Sequence, residues 1–521
     1  MSEQDNRSAN SSFCSICESF LNGKNGKESV PSLTRTLDTI ANDLAKDEGL
    51  RTRMGIDSPS IWPSLRQLWK FLVEQVTAHE DDISTRTLVV SLCRFTRNLV
   101  AGVPQNQQNA FENEPDLRRI LYTYSSWSST QDPESYSSAR SAVQVLSNMV
   151  TTNEILLSHL WDTCMNLPEE QVIFIRYLAS PDGRTILFLL ILLVNCIHGS
   201  RPRQALLAKT RVGARICIAL LDRMVDLYDA EESSDGSKAF DYGYHVFAHL
   251  FDGGFAHQLY ESLKVADEII APHQTILLKL LDSYLQSLHS PSVLMGMCPM
   301  LTTCFFELST FSQEALKSAI GTGAVENDGV LATPETLDII LPRVCEALVL
   351  VTQCLASILL FFENLITPEI SEASLRTLVK DRVSSNGQVI ALSAVELLRL
   401  LDVFLPRINF GKPVLEHEAD QTLRSSVAAD PTGFSYLKRD LVRLLGILCH
   451  KDKKVQDSIR DNDGITVIMN MCVVDERNPY LREHAIFTLH NLLEENQENQ
   501  AVVNSIQLSA AWNEDGTLHD R

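Results

Sequence analysis

The feature that most constrains this chain is a short signature that returns at steps of nearly fifty residues. It reads apolar or small, three residues, a packing residue, one residue, Asn, apolar. The copies are Leu92, Thr96, Asn98, Leu99; Ala142, Leu146, Asn148, Met149; Leu189, Leu193, Asn195, Cys196; and Ala485, Leu489, Asn491, Leu492. The first three asparagines lie 50 and 47 residues apart. A fifth copy, Leu441, Leu445, Ile447, Leu448, precedes the Asn491 copy by 44 residues and has Ile where Asn would stand. Steps of this size match armadillo or HEAT units of about 40 to 47 residues, the longer ones absorbing loop insertions.

Helical periodicity fills the space between the copies. Leu65, Leu68, Trp69, Leu72, Val73 and Val76 recur at three- and four-residue steps behind Pro59 and Pro63, a buried helical stripe with a punctuated start. Ile276 to Leu288 and Leu397 to Phe404 repeat the period, and no run alternates strictly. With 22 Gly and 19 Pro in 521 residues the chain has few turn-formers, which disfavours a many-turned β fold. A single repeat cannot cover its own apolar face, so stacked neighbours must create the core. The expected fold class is all-α, an armadillo/HEAT-like helical solenoid.

Composition shifts suggest the divisions: an N-terminal segment over 1–57 with a mobile or loosely docked start, armadillo-like repeats over 58–430, a C-terminal repeat pair over 431–512 and a tail over 513–521. Polar stretches at 102–139, 228–241, 321–335 and 411–433 read as loops between helical blocks.

Several function classes fit poorly. The formal net charge of −21 repels phosphate backbones, so nucleic acid is not an expected partner. Twelve scattered cysteines without paired spacings point to reduced thiols in the cytosol or nucleus, the start MSEQDNRSAN lacks a targeting pattern, and the expected setting is cytoplasmic. Ile186 to Ile197 is too short to span a bilayer, and Ala347 to Ile366 carries Gln353, Glu363 and Asn364; both read as buried helices and not as integral membrane segments.

Catalytic signatures are wanting as well. No phosphate-cradling loop, GxSxG elbow or HExxH helix is present, so no enzyme and no cofactor is expected. Cys14 and Cys17 form a lone CxxC without the second pair that zinc needs. His245 and His249 share a helical face at a spacing able to ligate zinc, but without a fixed acidic or thiol partner they read as core or interface residues, and no metal is expected.

That leaves the asparagines. A carboxamide offers donors and an acceptor, so Asn98, Asn148, Asn195 and Asn491 are candidate partner-binding residues able to hold the backbone of an extended peptide. The same groups could instead satisfy backbone between neighbouring helices. The expected partners are other proteins, and an uncapped solenoid end would also allow a homo-oligomer.

Residues 436–503 carry the runs KRDLVRLLGILCHKDKKVQD, DGITVIMNMC and NPYLREHAIFTLHNLLEENQENQ. They resemble the C-terminal domain of the ataxin-10 family, here of the fungal type. Leu437, Leu441, Leu444, Leu445 and Leu448 make one helical face; Asn478 would cap, and Pro479 open, the helix carrying Leu481, Ala485, Leu489, Leu492 and Leu493. The family commonly has Asn where Ile447 stands. The resemblance implies a non-catalytic interaction scaffold linked to cytokinesis and cell division. An alternative is a helical-repeat transport adaptor whose acidic groove favours a basic peptide cargo.

Overall fold

A computed structural model describes residues 3–23, 30–287, 289–321, 338–364, 376–405, 407–409, 412–413, 434, 436–512 and 518–520. The stretches 322–335 and 414–433, expected as loops, and most of the 513–521 tail lie outside the described residues. The chain divides into two compact units, Met1–Ser262 and Leu263–Arg521.

The first unit begins with α1 (Glu3–Asn22), α2 (Val30–Lys46), α3 (Glu48–Ile56), α4 (Trp62–Ala78) and α5 (Ile83–Val100). Then come α6 (Pro104–Phe111), α7 (Glu114–Tyr124), α8 (Trp127–Gln131), α9 (Tyr136–Val150), α10 (Glu154–Asn166), α11 (Ile173–Leu178) and α12 (Gly183–Ile197). It closes with α13 (Arg201–Lys209), α14 (Arg211–Leu227), α15 (Asp235–Asp252) and α16 (Ala256–Ser262). Helices α2, α5, α9, α12 and α15 pack side by side in that order. From α5 onward each is the last of a three-helix group, α3–α4–α5, α6–α7–α9, α10–α11–α12 and α13–α14–α15. This is the armadillo-like arrangement that the signature predicts, and its asparagines sit on these ladder helices.

The repeat is defined as much by how its ladder helices end as by how they pack. Four residues past the signature asparagine the backbone turns left-handed, at Gly102 (φ 73), Thr152 (φ 59) and Gly199 (φ 65). Gly254 (φ 76) makes the same turn after α15, which places Leu250 in the asparagine position and phases a copy hidden in the sequence. Such a residue stops a helix and redirects the chain. The carbonyls orphaned there are taken by amides seven residues on: Asn106 Nδ2 donates to Leu99 O at 2.9 Å and Gln204 Nε2 to Ile197 O at 3.1 Å.

Two segments are more ordered than the sequence suggests. Helix α1 docks through fully buried Phe13 and Cys17, and Phe13 stacks on Phe95 of α5 at 5.0 Å. The 102–139 stretch holds three short helices, α6 to α8, because Asn106 and Gln107 are buried as hydrogen-bonding groups, a role that polarity alone does not reveal. The stripe on α4 is buried as expected.

The second unit contains α17 (Pro272–Tyr284), α18 (Pro291–Gly321), α19 (Leu341–Asn364), α20 (Ile390–Phe404) and α21 (Leu437–Cys449). It continues with α22 (Lys453–Asp461), α23 (Gly464–Met471), α24 (Leu481–Leu493) and α25 (Gln497–Ser509). Two short ribbons, β1 (Ile408–Asn409) with β2 (Lys412–Pro413) and β3 (Ala510–Trp512) with β4 (Leu518–Asp520), decorate the helices. Here α17, α19, α21 and α24 form the ladder row. Lys451 (φ 51) and Glu495 (φ 53) end α21 and α24, again four residues past positions 447 and 491.

Helix α24 starts later than its sequence suggests. Tyr480, left-handed at φ 65, is the N-cap residue. Asn478 turns its carboxamide to Asp475 Oδ2 at 2.7 Å while its carbonyl accepts from Leu481 N–H at 3.1 Å. By length and composition α18 and α19 are each apolar enough to cross a membrane, yet 61% of each apolar window is buried among neighbouring protein. Their hydrophobicity thus serves the core of the unit.

Candidate partner-binding face

The four signature asparagines occupy equivalent places on ladder helices but are not chemically equivalent. Asn98 is buried, its Nδ2 donating to Ala41 O of α2 at 2.8 Å and its Oδ1 accepting from Arg97 Nε at 3.1 Å. Half-buried Asn148 repeats the step, Nδ2 donating to Arg97 O of α5 at 3.3 Å. Asn491 is buried and donates to Gly446 O of α21 at 2.9 Å. Each carboxamide therefore clips its helix to the preceding ladder helix, and net bonds of this kind are worth about 1 kcal/mol. Asn195 is half-buried on α12, and among the described residues its carboxamide has no hydrogen-bond partner.

Asn195 is bordered on its own helix by half-buried Phe188 and Ile191 and by exposed His198. His198 marks a residue that sequence reasoning missed. Its Nδ1 lies 3.4 Å from Nε2 of His249 on α15, with the rings edge to face at 5.1 Å. Burial first, then the charge of His198, depresses the His249 pKa. His245 and His257 are exposed, and no group of three or more His, Cys, Asp or Glu that could hold a metal ion occurs among the described residues. The i, i+4 pair on one helix was legible, whereas the neighbour contributed by the preceding repeat becomes predictable only once the repeats are in phase.

The charges on α5, α9 and α12 are arginines, most of them tied to neighbouring elements. Arg140 forms an ion pair with Asp182, which also caps α12 through Thr185 N–H at 2.9 Å. Arg184 lies 3.7 Å from Asp235, and Arg94 lies 3.9 Å from Asp38 while donating to Asn42 Oδ1 at 2.6 Å. Arg97 differs, since its Nη1 donates to Gln144 Oε1 at 2.6 Å and no described carboxylate is within ion-pair distance.

Elsewhere the reactive groups are committed to structure. The Cys17 thiol is pushed up to about 12 by burial and then by neighbouring Cys14, an environment that disfavours the thiolate. A cleft of about 730 Å³ is lined by His79, Glu80, Asp81 and Asp82 among others. Its carboxylates are engaged: Glu80 accepts from Ser128, Asp81 pairs with Arg86 at 2.9 Å, and Asp82 caps α5 through Thr85 N–H at 2.9 Å.

Residues 437–520 match the family described as the Spinocerebellar ataxia type 10 protein domain. Among curated relatives, an ataxin-10 homolog of Dictyostelium discoideum is 41% identical over 78 residues, covering 15% of this chain and 13% of that protein. Ataxin-10 of Bos taurus is 33% identical over 109 residues, covering 21% and 22%. An ataxin-10 homolog of Kluyveromyces lactis is 24% identical over 188 residues, covering 29% and 35%. The matches thus span between about an eighth and a third of those relatives' lengths. Among solved structures, that of SYS-1 aligns over 97% of both chains with a TM-score of 0.36 and 10% identity. The structure of Uso1-2 covers 98% of this chain and 90% of its own, with a TM-score of 0.34 and 12% identity. Over residues 437–520 the chain is therefore similar to the spinocerebellar ataxia type 10 protein domain and to the ataxin-10 homologues that match it there.

Proposed function

We propose that the chain is a non-catalytic protein-interaction scaffold in the cytoplasm, that its ladder rows are the binding surface, and that the ataxin-10 likeness extends its role to cytokinesis. The observation that carries the reading is the ladder row of the first unit. A repeat with a fixed offset presents a carboxamide at three successive steps, on α5, α9 and α12, and at Asn195 that group has no partner among the described residues and sits beside the half-buried Phe188 and Ile191. A regular array of polar groups with apolar neighbours suits an extended peptide, whose backbone repeats on a similar scale. The cytoplasmic site and the link to division are supported by the family likeness.

The test separates binding from stability. Asn98→Ala, Asn148→Ala and Asn195→Ala are made singly and together in the full chain. Thermal unfolding is measured beside affinity purification with mass spectrometry. The reading expects Asn195→Ala to lower capture with the melting temperature unchanged, and Asn98→Ala to lower the melting temperature. Capture that tracks melting temperature through the whole series would make every rung structural and defeat it. A chain ending at Asp430 locates the remaining binding: loss of partners while the first unit stays folded assigns them to the C-terminal domain. Imaging of the tagged chain through division, with scoring of multinucleate cells on depletion, tests the cellular role.

A further inference from the structure

Charge is distributed unevenly over the ladder. In a chain of net charge −21, the consecutive ladder helices α5, α9 and α12 hold five arginines, at 86, 94, 97, 140 and 184, and neither aspartate nor glutamate. Arg86 is buried against Asp81 and Asp132, Arg140 and Arg184 are paired with Asp182 and Asp235, and exposed Arg94 keeps a longer contact with Asp38 at 3.9 Å. Arg97 has no carboxylate within ion-pair distance among the described residues. It is half-buried, and its two described bonds go to neutral amide oxygens, Asn98 Oδ1 at 3.1 Å and Gln144 Oε1 at 2.6 Å. A guanidinium has five N–H donors in a rigid fork, so three remain without an acceptor among the described residues. Burial and then the charge of Arg94 depress the Arg97 pKa, as expected for a cation held away from water without a counter-ion. Those amide bonds fix the fork in place beforehand, and a preorganised fork matches a carboxylate in two-point contact.

We propose that the α5–α9–α12 face binds an extended acidic segment of a partner protein, with Arg97 and Arg94 taking its carboxylates and Phe188 and Ile191, beside Asn195, receiving an apolar side chain. This rests on the scaffold reading and names the partner's chemistry. Charge complementarity selects the occupant, for a basic cargo would face only arginines on these three helices. Packed helices lie about 9–10 Å apart, so α5 and α12 are separated by roughly 20 Å. At about 3.5 Å per extended residue the acidic pair and the apolar residue should stand five to six residues apart.

The probe is a fluorescein-labelled twelve-residue peptide with a Glu pair and a Leu six residues away, compared with versions carrying Gln or Lys for Glu. Anisotropy titration of the full chain should show salt-sensitive binding of the acidic peptide, at least about tenfold tighter than the Gln and Lys versions. Arg97→Gln should weaken it about tenfold and Arg94→Gln less. Arg97→Lys, which keeps the charge and loses the fork, should retain part of the affinity. Melting temperatures identify any variant whose loss is unfolding, and in that case the Arg97→Lys comparison decides. Preference for the Lys peptide, equal binding of the Gln peptide, or stronger competition by single-stranded oligonucleotide overturns the proposal. A photo-crosslinker at Phe188 separates the two readings. Cellular partners crosslinked there while acidic peptides fail leave the scaffold reading standing without the acidic chemistry; crosslinking of nothing removes both.

Discussion

In the first unit the ladder helices α5, α9 and α12 carry arginine without acid, whereas in the second every ladder helix mixes the two: Lys279 with Asp282, Arg343 with Glu346, Arg439 and Arg443 with Asp440, Arg482 with Glu483. Part of the mixed row's charge is tied up by neighbours, although Asp282 Oδ1 is buried without a hydrogen-bond partner and Arg443 has no ion pair among the described residues. Asp440, buried, accepts from Gln353 Nε2 at 2.8 Å and from Arg439 Nε and Nη2 at 2.8 and 3.0 Å, and Lys279 pairs with Glu346 at 2.8 Å. Buried Lys438 donates to Leu405 O at 2.7 Å and to Asp402 at 3.1 Å, burial holding its pKa below the ordinary lysine value. One repeat geometry can therefore satisfy its buried charges, as at Asp440 and Lys438, or leave a half-buried cation without a described carboxylate, as at Arg97. A buried charge that is paired is costly to break, while an unpaired one is a standing invitation to an external counter-ion.

The sharpest way to break the comparison is to separate the packing of the two rows. At the position before the signature residue the first unit has Arg97, Ser147 and Val194, but α21 has Gly446. A Cβ there would meet Thr488 Oγ1 at 2.5 Å and Thr488 Cα at 3.4 Å, and Thr488 Oγ1 is itself held to Val442 O at 2.9 Å. Gly446→Val should destabilise the C-terminal domain by about 2–3 kcal/mol, with hydrogen exchange accelerated in α21 and α24 and unchanged in α5 and α9. Denaturant unfolding equal to wild type would show that the α21–α24 contact is looser than this geometry requires.

A smaller effect sharpens the contrast between rungs. Asn491→Leu deprives the Gly446 carbonyl of its donor and should cost about 1–3 kcal/mol. Asn195→Leu removes a group without a described partner and should stay within about 0.5 kcal/mol. Equal costs would mean that Asn195 is held as firmly as Asn491, and the first unit would then lose its free rung.

The repeat and its helical class were legible because the signature recurs at a fixed offset and buried stripes such as that of α4 follow the 3.6-residue period. Docking of α1 was hidden, since Phe13 and Cys17 are few among polar neighbours. The α15 copy was hidden because Leu250 replaces the amide and only its left-handed Gly254 betrays the phase. Candidate residues could be picked by type, but their state could not. Whether Asn98 or Asn195 finds a carbonyl depends on the neighbouring helix, and whether Arg97 finds a carboxylate depends on elements distant in sequence. The absence of acid from three ladder helices was readable all along, and it acquires meaning only when those helices are known to be neighbours.

The smallest expected effect concerns acid. Burial and the charge of His198, with a further contribution from His245 against the opposing Asp252, depress His249, while burial followed by Arg443 and Arg439 depresses His484. A folded pKa below the ordinary 6.5 means that the unfolded chain binds the proton more tightly. Stability contributed by each neutral imidazole is then complete above pH 6.5 and is lost as pH falls through the folded value. The carboxylates Asp182 and Asp457 are depressed from a start of 3.8 and titrate below the range from pH 7 to 5, whereas burial raises Asp282 and Asp116, which oppose the histidines as pH falls. Both rings are partly solvated and screening shrinks the effect, so a fall in melting temperature of about 1–2 °C is expected over that range. His249→Gln should flatten the part belonging to the first unit and His484→Gln the part belonging to the second, resolved by hydrogen exchange in α12 and α24. A slope that survives both substitutions would place the acid sensitivity outside the ladder rows and remove the histidines from the comparison.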